Sequence, residues 1–193
     1  MNLLSNLMPD EVAGELTDIE VKRLTRLGYK ALLLDLDNTL TLWRSRQVSE
    51  PVRQWARKAS EAGLQLCLVS NAQNPDRVEA VARELGCEFI ARAKKPMRRG
   101  FSRACMRLGV EPGEAVAVGD QLLTDVWGGN RAGLHTVLLR PIDRKREFVG
   151  TKFDRLVERL VLRLELKLGL VSQDDWFTLW PEERPSKEGA GND

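Results

Sequence analysis

Short apolar runs alternate with longer amphipathic stretches through most of this 193-residue chain. Residues 31–36, 64–69, 88–90, 114–118 and 135–139 are apolar runs bounded by turn formers, and they read as strands. The stretches between them, near 49–63, 75–85, 97–108 and 122–133, carry apolar positions at helical spacing. Pro51 suits a first helical turn, Gly63 and Gly86 stop their helices, and Pro112-Gly113 marks a turn. Gly128, Gly129 and Gly133 also read as helix-ending glycines, with no Gly-x-Gly-x-x-Gly phosphate cradle. Strand and helix alternating at this rhythm predict an α/β fold: a parallel sheet of about five strands, covered by helices on both faces. Ligands of such sheets bind outside the carboxyl ends of the strands.

The two ends depart from this rhythm. Residues 1–28 form a separate segment with apolar Leu3, Leu4, Leu7, Met8, Val12, Leu16, Ile19, Leu24 and Leu27. Thr17-Asp-Ile-Glu20 has the spacing of a capping box, and one or two short helices are expected. The core then runs over 29–169, closing with a long helix at 151–168. An extension, 170–193, opens on an aromatic knot of Trp176, Phe177, Leu179 and Trp180 that either tucks onto the core or enters a lipid interface. From about 181 its polar, Gly- and Pro-rich composition predicts disorder.

Composition is globular, with 42% hydrophobic and 30% charged residues, and the formal net charge of +2 selects no partner. The basic residues are uneven. Arg92, Lys94, Lys95, Arg98, Arg99, Arg103 and Arg107 fall between positions 91 and 110 without an acid among them. That run is a solvated helix face or a positive field for an anionic ligand. Cys67, Cys87 and Cys105 lack the spacing of a zinc site or a disulfide scaffold and read as reduced thiols. The single histidine, His135, has no partner at ligand spacing and reads as structural. No secretory signal or membrane-length apolar stretch is present in the given sequence, so a cytoplasmic protein is expected, with peripheral membrane contact left open.

Chemistry gathers where the strands end. Asp35 and Asp37 close the first core strand at spacing i, i+2, which in an extended chain directs both to one side. Two close carboxylates raise each other's pKa, so that one can attack while its neighbour carries a proton. Asp35 is competent as a nucleophile toward phosphorus and Asp37 as general acid and base. Ser70-Asn71 ends the next strand, where the hydroxyl and adjacent amides can hold phosphoryl oxygens, although a plain helix cap would look the same. Lys95, with Lys94 competing for the role, can offset charge. Asp120, with Asp125 behind it, can hold Mg2+, which prefers oxygen ligands.

Asp35-Leu-Asp37-Asn-Thr39, Ser70-Asn71, Lys95-Pro96 and Gly119-Asp120-Gln-Leu-Leu-Thr-Asp125 resemble the four ordered motifs of the haloacid dehalogenase superfamily of phosphatases. The continuation Thr39-Leu-Thr-Leu-Trp43 and the Gly-Asp-Gln-x-x-Thr-Asp stretch are similar to its subfamily IIIA, the YqeG family, whose relatives include mitochondrial phosphatidylglycerophosphate phosphatases. The resemblance covers roughly residues 20–140. It implies a Rossmann-like core and a Mg2+-dependent phosphomonoesterase that forms a phosphoaspartate on Asp35. It further implies metal contact from Asp35, the Asp37 carbonyl and Asp120, with Asp125 beside them, and phosphate contact from Ser70, Asn71 and Lys95.

Only 32 residues separate Asp37 from Ser70, and 24 separate Ser70 from Lys95, so no large cap domain fits in either interval. An open site suits a bulky substrate or one presented on a surface, and the resemblance points to phosphatidylglycerophosphate or another phosphorylated molecule with an accessible headgroup; Trp43 and Arg44 either wall the entrance or pack on the sheet. A soluble sugar, nucleotide or nucleic-acid-end phosphate remains the rival substrate, and a non-catalytic binding module the rival function. A receiver domain fits poorly, because its phosphorylated Asp does not sit in Asp-x-Asp-x-Thr. Neither a nucleic-acid partner nor a definite oligomeric state is indicated, and homo-oligomers are compatible with the chain.

Overall fold

Side chains of the central strands divide between two cores. In β2 (Ala31–Leu34), Leu32 and Leu34 enter one cluster while Ala31 and Leu33 enter the other. β3 (Gln65–Val69) splits Leu66 and Leu68 from Cys67 and Val69, and β5 (Ala115–Gly119) splits Val116 and Val118 from Ala115 and Ala117. An apolar residue on both sides of the pleat is what a sheet covered on both faces requires. The computed structural model describes residues 6–143, 159–164, 166, 167, 169 and 172–183.

With β1 (Glu11–Ala13), β4 (Glu88–Ile90) and β6 (His135–Leu139), the strands form one six-stranded sheet in the order β1-β6-β5-β2-β3-β4, with every pairing parallel. Helices α2 (Glu50–Glu61) and α3 (Pro75–Leu85) bury Val52, Trp55, Ala59, Val78 and Val81 on one face. On the other face α4 (Arg98–Leu108) buries Phe101, Ala104 and Cys105, and α5 (Trp127–Ala132) packs beside it. Burial pushes the thiols of Cys67 and Cys87 up to about 12 and raises that of Cys105, and all three cysteines are free. Such thiols stay protonated and inert.

The sixth strand is a departure from expectation. Residues 11–13 pair with β6, although the apolar spacing of the N-terminal segment suggests helices there. The cause is long-range hydrogen bonding. The Thr136 amide donates to Asp10 Oδ2 at 2.7 Å, the Asp10 amide donates to Thr136 Oγ1 at 3.2 Å, and Asn130 Nδ2 donates to the Asn6 and Met8 carbonyls. The short helices follow as a 3-10 turn, Leu16–Asp18, and α1 (Val21–Arg26). The capping box belongs to Glu15 and Asp18; the N-cap Glu20 makes no side-chain capping bond and pairs with Arg26 instead, so the Thr17–Glu20 box does not form.

Gly128 and Gly129 are also not helix ends. They lie inside α5, which stops at Gly133 with φ +80. A Cβ on Gly129 would stand 2.8 Å from Thr136 Cγ2 and 3.1 Å from Ala117 Cβ, so Gly129 brings the helix against the sheet, while Gly128 abuts Phe101 of α4 and Pro96. At the C-terminal end, Trp176 and Leu179 of the helix Gln173–Leu179 are buried with Leu7, Leu122, Val126, Leu138 and Leu162, which places the aromatic knot on the core. Residues 159–164 are helical, and the rest of the expected 151–168 helix is only partly within the described residues. Pro181–Glu183 forms a 3-10 turn whose Glu183 accepts from Trp176 Nε1; the remainder of the expected tail lies outside the described residues. Among the described residues no helix is long and apolar enough to cross a membrane.

Gly129→Ala tests the close approach. An exposed helical glycine gains about 1 kcal/mol on replacement by alanine. Here overpacking against fully buried Thr136 reverses the sign, with a net loss of about 1–3 kcal/mol expected in chemical denaturation.

Candidate active site

The chain runs outward from β2 through β3 to β4 and then crosses back to β5 on the other side of β2. The gap beyond β2 and β5 is therefore where the winding reverses, the place at which parallel sheets open a ligand crevice. Leu34 pairs with Val118, and the Asp35 amide donates to the Val118 carbonyl at 2.9 Å. This register sets Asp35 and Asp120 side by side at adjacent strand ends.

A third acid is delivered by local backbone geometry. After Asp120 the chain makes a π-helical turn, Leu122–Val126, that returns Asp125 toward the strand end. The Gln121 amide donates to Asp125 Oδ2 at 3.2 Å. Gly119 leaves the space: a Cβ there would fall 2.2 Å from Asp125 Cγ. Carboxylate oxygens of Asp35, Asp120 and Asp125 consequently lie within 4.8 Å of one another, all buried. Thr39 Oγ1 donates to Asp120 Oδ1 at 3.2 Å.

Lys95 enters from the loop after β4. Its ammonium donates to Asp35 Oδ1 and to Asp125 Oδ1, each at 2.5 Å, with a side chain only 3% exposed. Asn71 holds that loop in place, because its Oδ1 accepts from the Lys95 amide at 2.7 Å and its Nδ2 donates to the Lys95 carbonyl at 3.0 Å. The side chain of Asn71 is thus committed to positioning Lys95. Lys94 is exposed. Ser70 is buried at the end of β3, and its Oγ accepts from the Ala72 amide at 3.1 Å.

Burial dominates the electrostatics. It pushes the Asp35 carboxyl up to about 6, against the pull of Lys95 and with a push from Asp125. Burial likewise raises Asp125, opposed by Lys95 and reinforced by Asp120. For Lys95 burial alone would depress the ammonium, but Asp125 and Asp35 outweigh it and hold the charge above the usual lysine range. Three carboxyl groups thus gather around one ammonium. In addition, Asp35 Oδ2 is buried without a hydrogen-bond partner among the described residues. An all-oxygen cluster with an unmatched carboxylate oxygen fits a hard divalent cation.

The carboxylate of Asp37 stands apart from that cluster. Its Oδ1 accepts from the Arg44 amide at 2.8 Å, and its Oδ2 pairs with the Arg77 guanidinium. Arg77 is a functional candidate that periodicity misses: an arginine two residues into a helix reads as solvated, yet its side chain is 8% exposed. Gly119 is a second one, legible as part of a turn but not as the hole that Asp125 fills. Arg44 lies 4.4 Å over the half-buried Trp43 ring, beside the mouth.

Residues 42–133 match the haloacid dehalogenase-like hydrolase family. The chain is 36% identical over 168 residues to the protein named "Probable phosphatase YqeG" of Bacillus subtilis (strain 168), covering 87% of this chain and 96% of that one. It is 28% identical over 177 residues to the phosphatidylglycerophosphate phosphatase 1 of Arabidopsis thaliana, covering 87% of this chain and about half, 51%, of that longer protein. Among solved structures, the cobalt-bound deoxy-D-mannose-octulosonate 8-phosphate phosphatase of Haemophilus influenzae aligns with a TM-score of 0.48 and 14% identity, over 78% of this chain and 96% of that one. More than a third of positions shared along nearly the whole of a relative is a family-level match, and the chain belongs to the haloacid dehalogenase-like hydrolases, among the YqeG-type phosphatases.

Proposed function

We propose that this phosphatase is a Mg2+-dependent phosphomonoesterase that works through a phosphoaspartate on Asp35 and prefers a phosphorylated lipid headgroup, with phosphatidylglycerophosphate as the favoured candidate. The observation that carries the chemistry is the buried cluster of Asp35, Asp120, Asp125 and Lys95, with Asp35 Oδ2 left without a partner among the described residues. Asp35 attacks phosphorus in line, the bond from phosphorus to the leaving oxygen breaks, and Asp37 gives that oxygen a proton. Water then attacks the phosphoaspartate, its proton passes to Asp37, the bond to Asp35 breaks, and inorganic phosphate departs. Ser70, the amides next to it and Lys95 hold the phosphoryl oxygens through both steps. Asp35, Asp120 and Asp125, with the Asp37 carbonyl, would hold Mg2+, whose charge offsets that of the phosphoryl group. A binding module without catalysis has no use for this set of acids.

The mouth of the site supports the lipid reading. Leu42, Met97 and Ile142 are exposed at 41%, 61% and 51%, in segments tied to the site, since the Ile142 amide donates to the Asn38 carbonyl and Lys95 lies two residues before Met97. Arg44, Arg46, Lys94, Arg98 and Arg99 are exposed in the same segments. Apolar tips among basic side chains suit peripheral contact with an anionic bilayer. The residues from the end of β2 to α2, and from β3 to β4, insert no cap domain over the crevice.

Three measurements test this reading. Asp35→Asn should lower Mg2+-dependent hydrolysis of p-nitrophenyl phosphate roughly 10^4-fold or more with an unchanged circular dichroism spectrum; wild-type turnover would reject the nucleophile. Chelation should abolish phosphate release and Mg2+ restore it, with Gly119→Ala needing roughly tenfold more Mg2+ because its methyl displaces Asp125, a loss of about 1.4 kcal/mol in metal binding. Phosphatidylglycerophosphate in mixed micelles should be hydrolysed faster than soluble sugar or nucleotide phosphates, and turnover confined to the soluble esters would overturn the lipid preference.

A further inference from the structure

Arg77 is a buried charge that none of the steps above uses. It sits in the first turn of α3, where its amide donates to Asn74 Oδ1 at 3.3 Å. Its guanidinium reaches across to the loop after β2, pairing through Nη2 with Asp37 Oδ2 and donating through Nη1 to the Ser45 carbonyl at 3.0 Å. The same loop is closed on itself, because the Arg44 amide donates to Asp37 Oδ1 at 2.8 Å and the Asn38 amide donates to the Thr41 carbonyl at 2.7 Å. Both oxygens of Asp37 are therefore engaged, and one planar side chain grips residues 37 and 45 together.

A buried ion pair is poor evidence for a role in stability, since well-packed apolar residues often serve as well. What an apolar side chain cannot do is set the direction of a carboxylate. A guanidinium can, because its donors lie in a rigid fork. Proton transfer to a leaving oxygen depends on that direction, and the supporting contacts decide whether a reacting group is held closely enough. We propose that Arg77 is a positioning residue for the proton-transfer step, acting through Asp37 and through the loop between Asp37 and Ser45. This inference rests on the reading of Asp37 as general acid. It also assigns α3 a task beyond covering the sheet: the helix that follows the Ser70-Asn71 strand end aims the acid of the neighbouring strand.

Leaving groups separate this role from a general loosening of the site. p-Nitrophenolate departs with little need of a proton, whereas phenolate needs one, and the two esters are nearly the same size. Arg77→Ala should lower kcat/KM for phenyl phosphate roughly 10- to 100-fold and for p-nitrophenyl phosphate less than about threefold. Arg77→Lys, which keeps the charge and loses the fork, should fall between wild type and alanine. Should the alanine variant fail to fold, Arg77→Gln takes its place in the same assay. Asp37→Asn should show the same selectivity in larger measure, and adding Arg77→Ala to it should change kcat/KM less than about threefold. Equal losses on both esters, no loss on either, or a gain on phenyl phosphate would overturn the inference while leaving the role of Asp37 standing. An Asp37→Asn variant without leaving-group selectivity would overturn the reading of Asp37, and this inference with it.

Discussion

Three carboxylates within 4.8 Å of one another, shielded from water, are the constraint around which the rest of the strand-end architecture is arranged. Two like charges about 4 Å apart repel by about 4 kcal/mol at an effective dielectric of 20, so each additional acid makes the cluster harder to hold. The Lys95 ammonium, placed 2.5 Å from both Asp35 and Asp125, answers part of that repulsion. A buried all-oxygen cluster of this kind fits a hard divalent cation.

Each member of the cluster depends on a structural device elsewhere. Asp35 and Asp120 need the register of β2 against β5. Asp125 needs a π-helical turn and a residue without a side chain at position 119. Lys95 needs the Asn71 amide clasping its backbone from the end of β3. Small residues also set the packing of α5: Gly129 meets Ala117 and Thr136 of the sheet, and Gly128 meets Phe101 and Pro96. The acids of the cluster are buried, whereas Leu42, Met97 and Ile142 in the neighbouring segments are exposed.

Much of this was legible in the linear sequence. Two-residue and helical periodicities locate the core strands and helices because each element must bury one or both faces, and Asp, Ser, Lys and Asp at successive strand ends name the chemistry. N-terminal β1 was not legible, because its pairing with β6 depends on Asp10 meeting Thr136 across 126 positions, and no local propensity carries that information. The packing roles of Gly119, Gly128 and Gly129 are hidden in the sequence for the same reason. A glycine in a helix looks like a stop signal until the atoms that occupy its missing side chain are known.

The sequence by itself determined the fold class, the order of the elements and which residue types stand at the strand ends, since hydrophobic period and turn chemistry are local properties. Tertiary structure alone decided which of those groups touch. It put Lys95 rather than Lys94 between the acids, turned Asn71 toward the Lys95 backbone, and drew Asp37 to a buried arginine forty residues away. Contacts of that kind arise from strand register and from helices packing across a sheet, and these come into being only when distant segments meet.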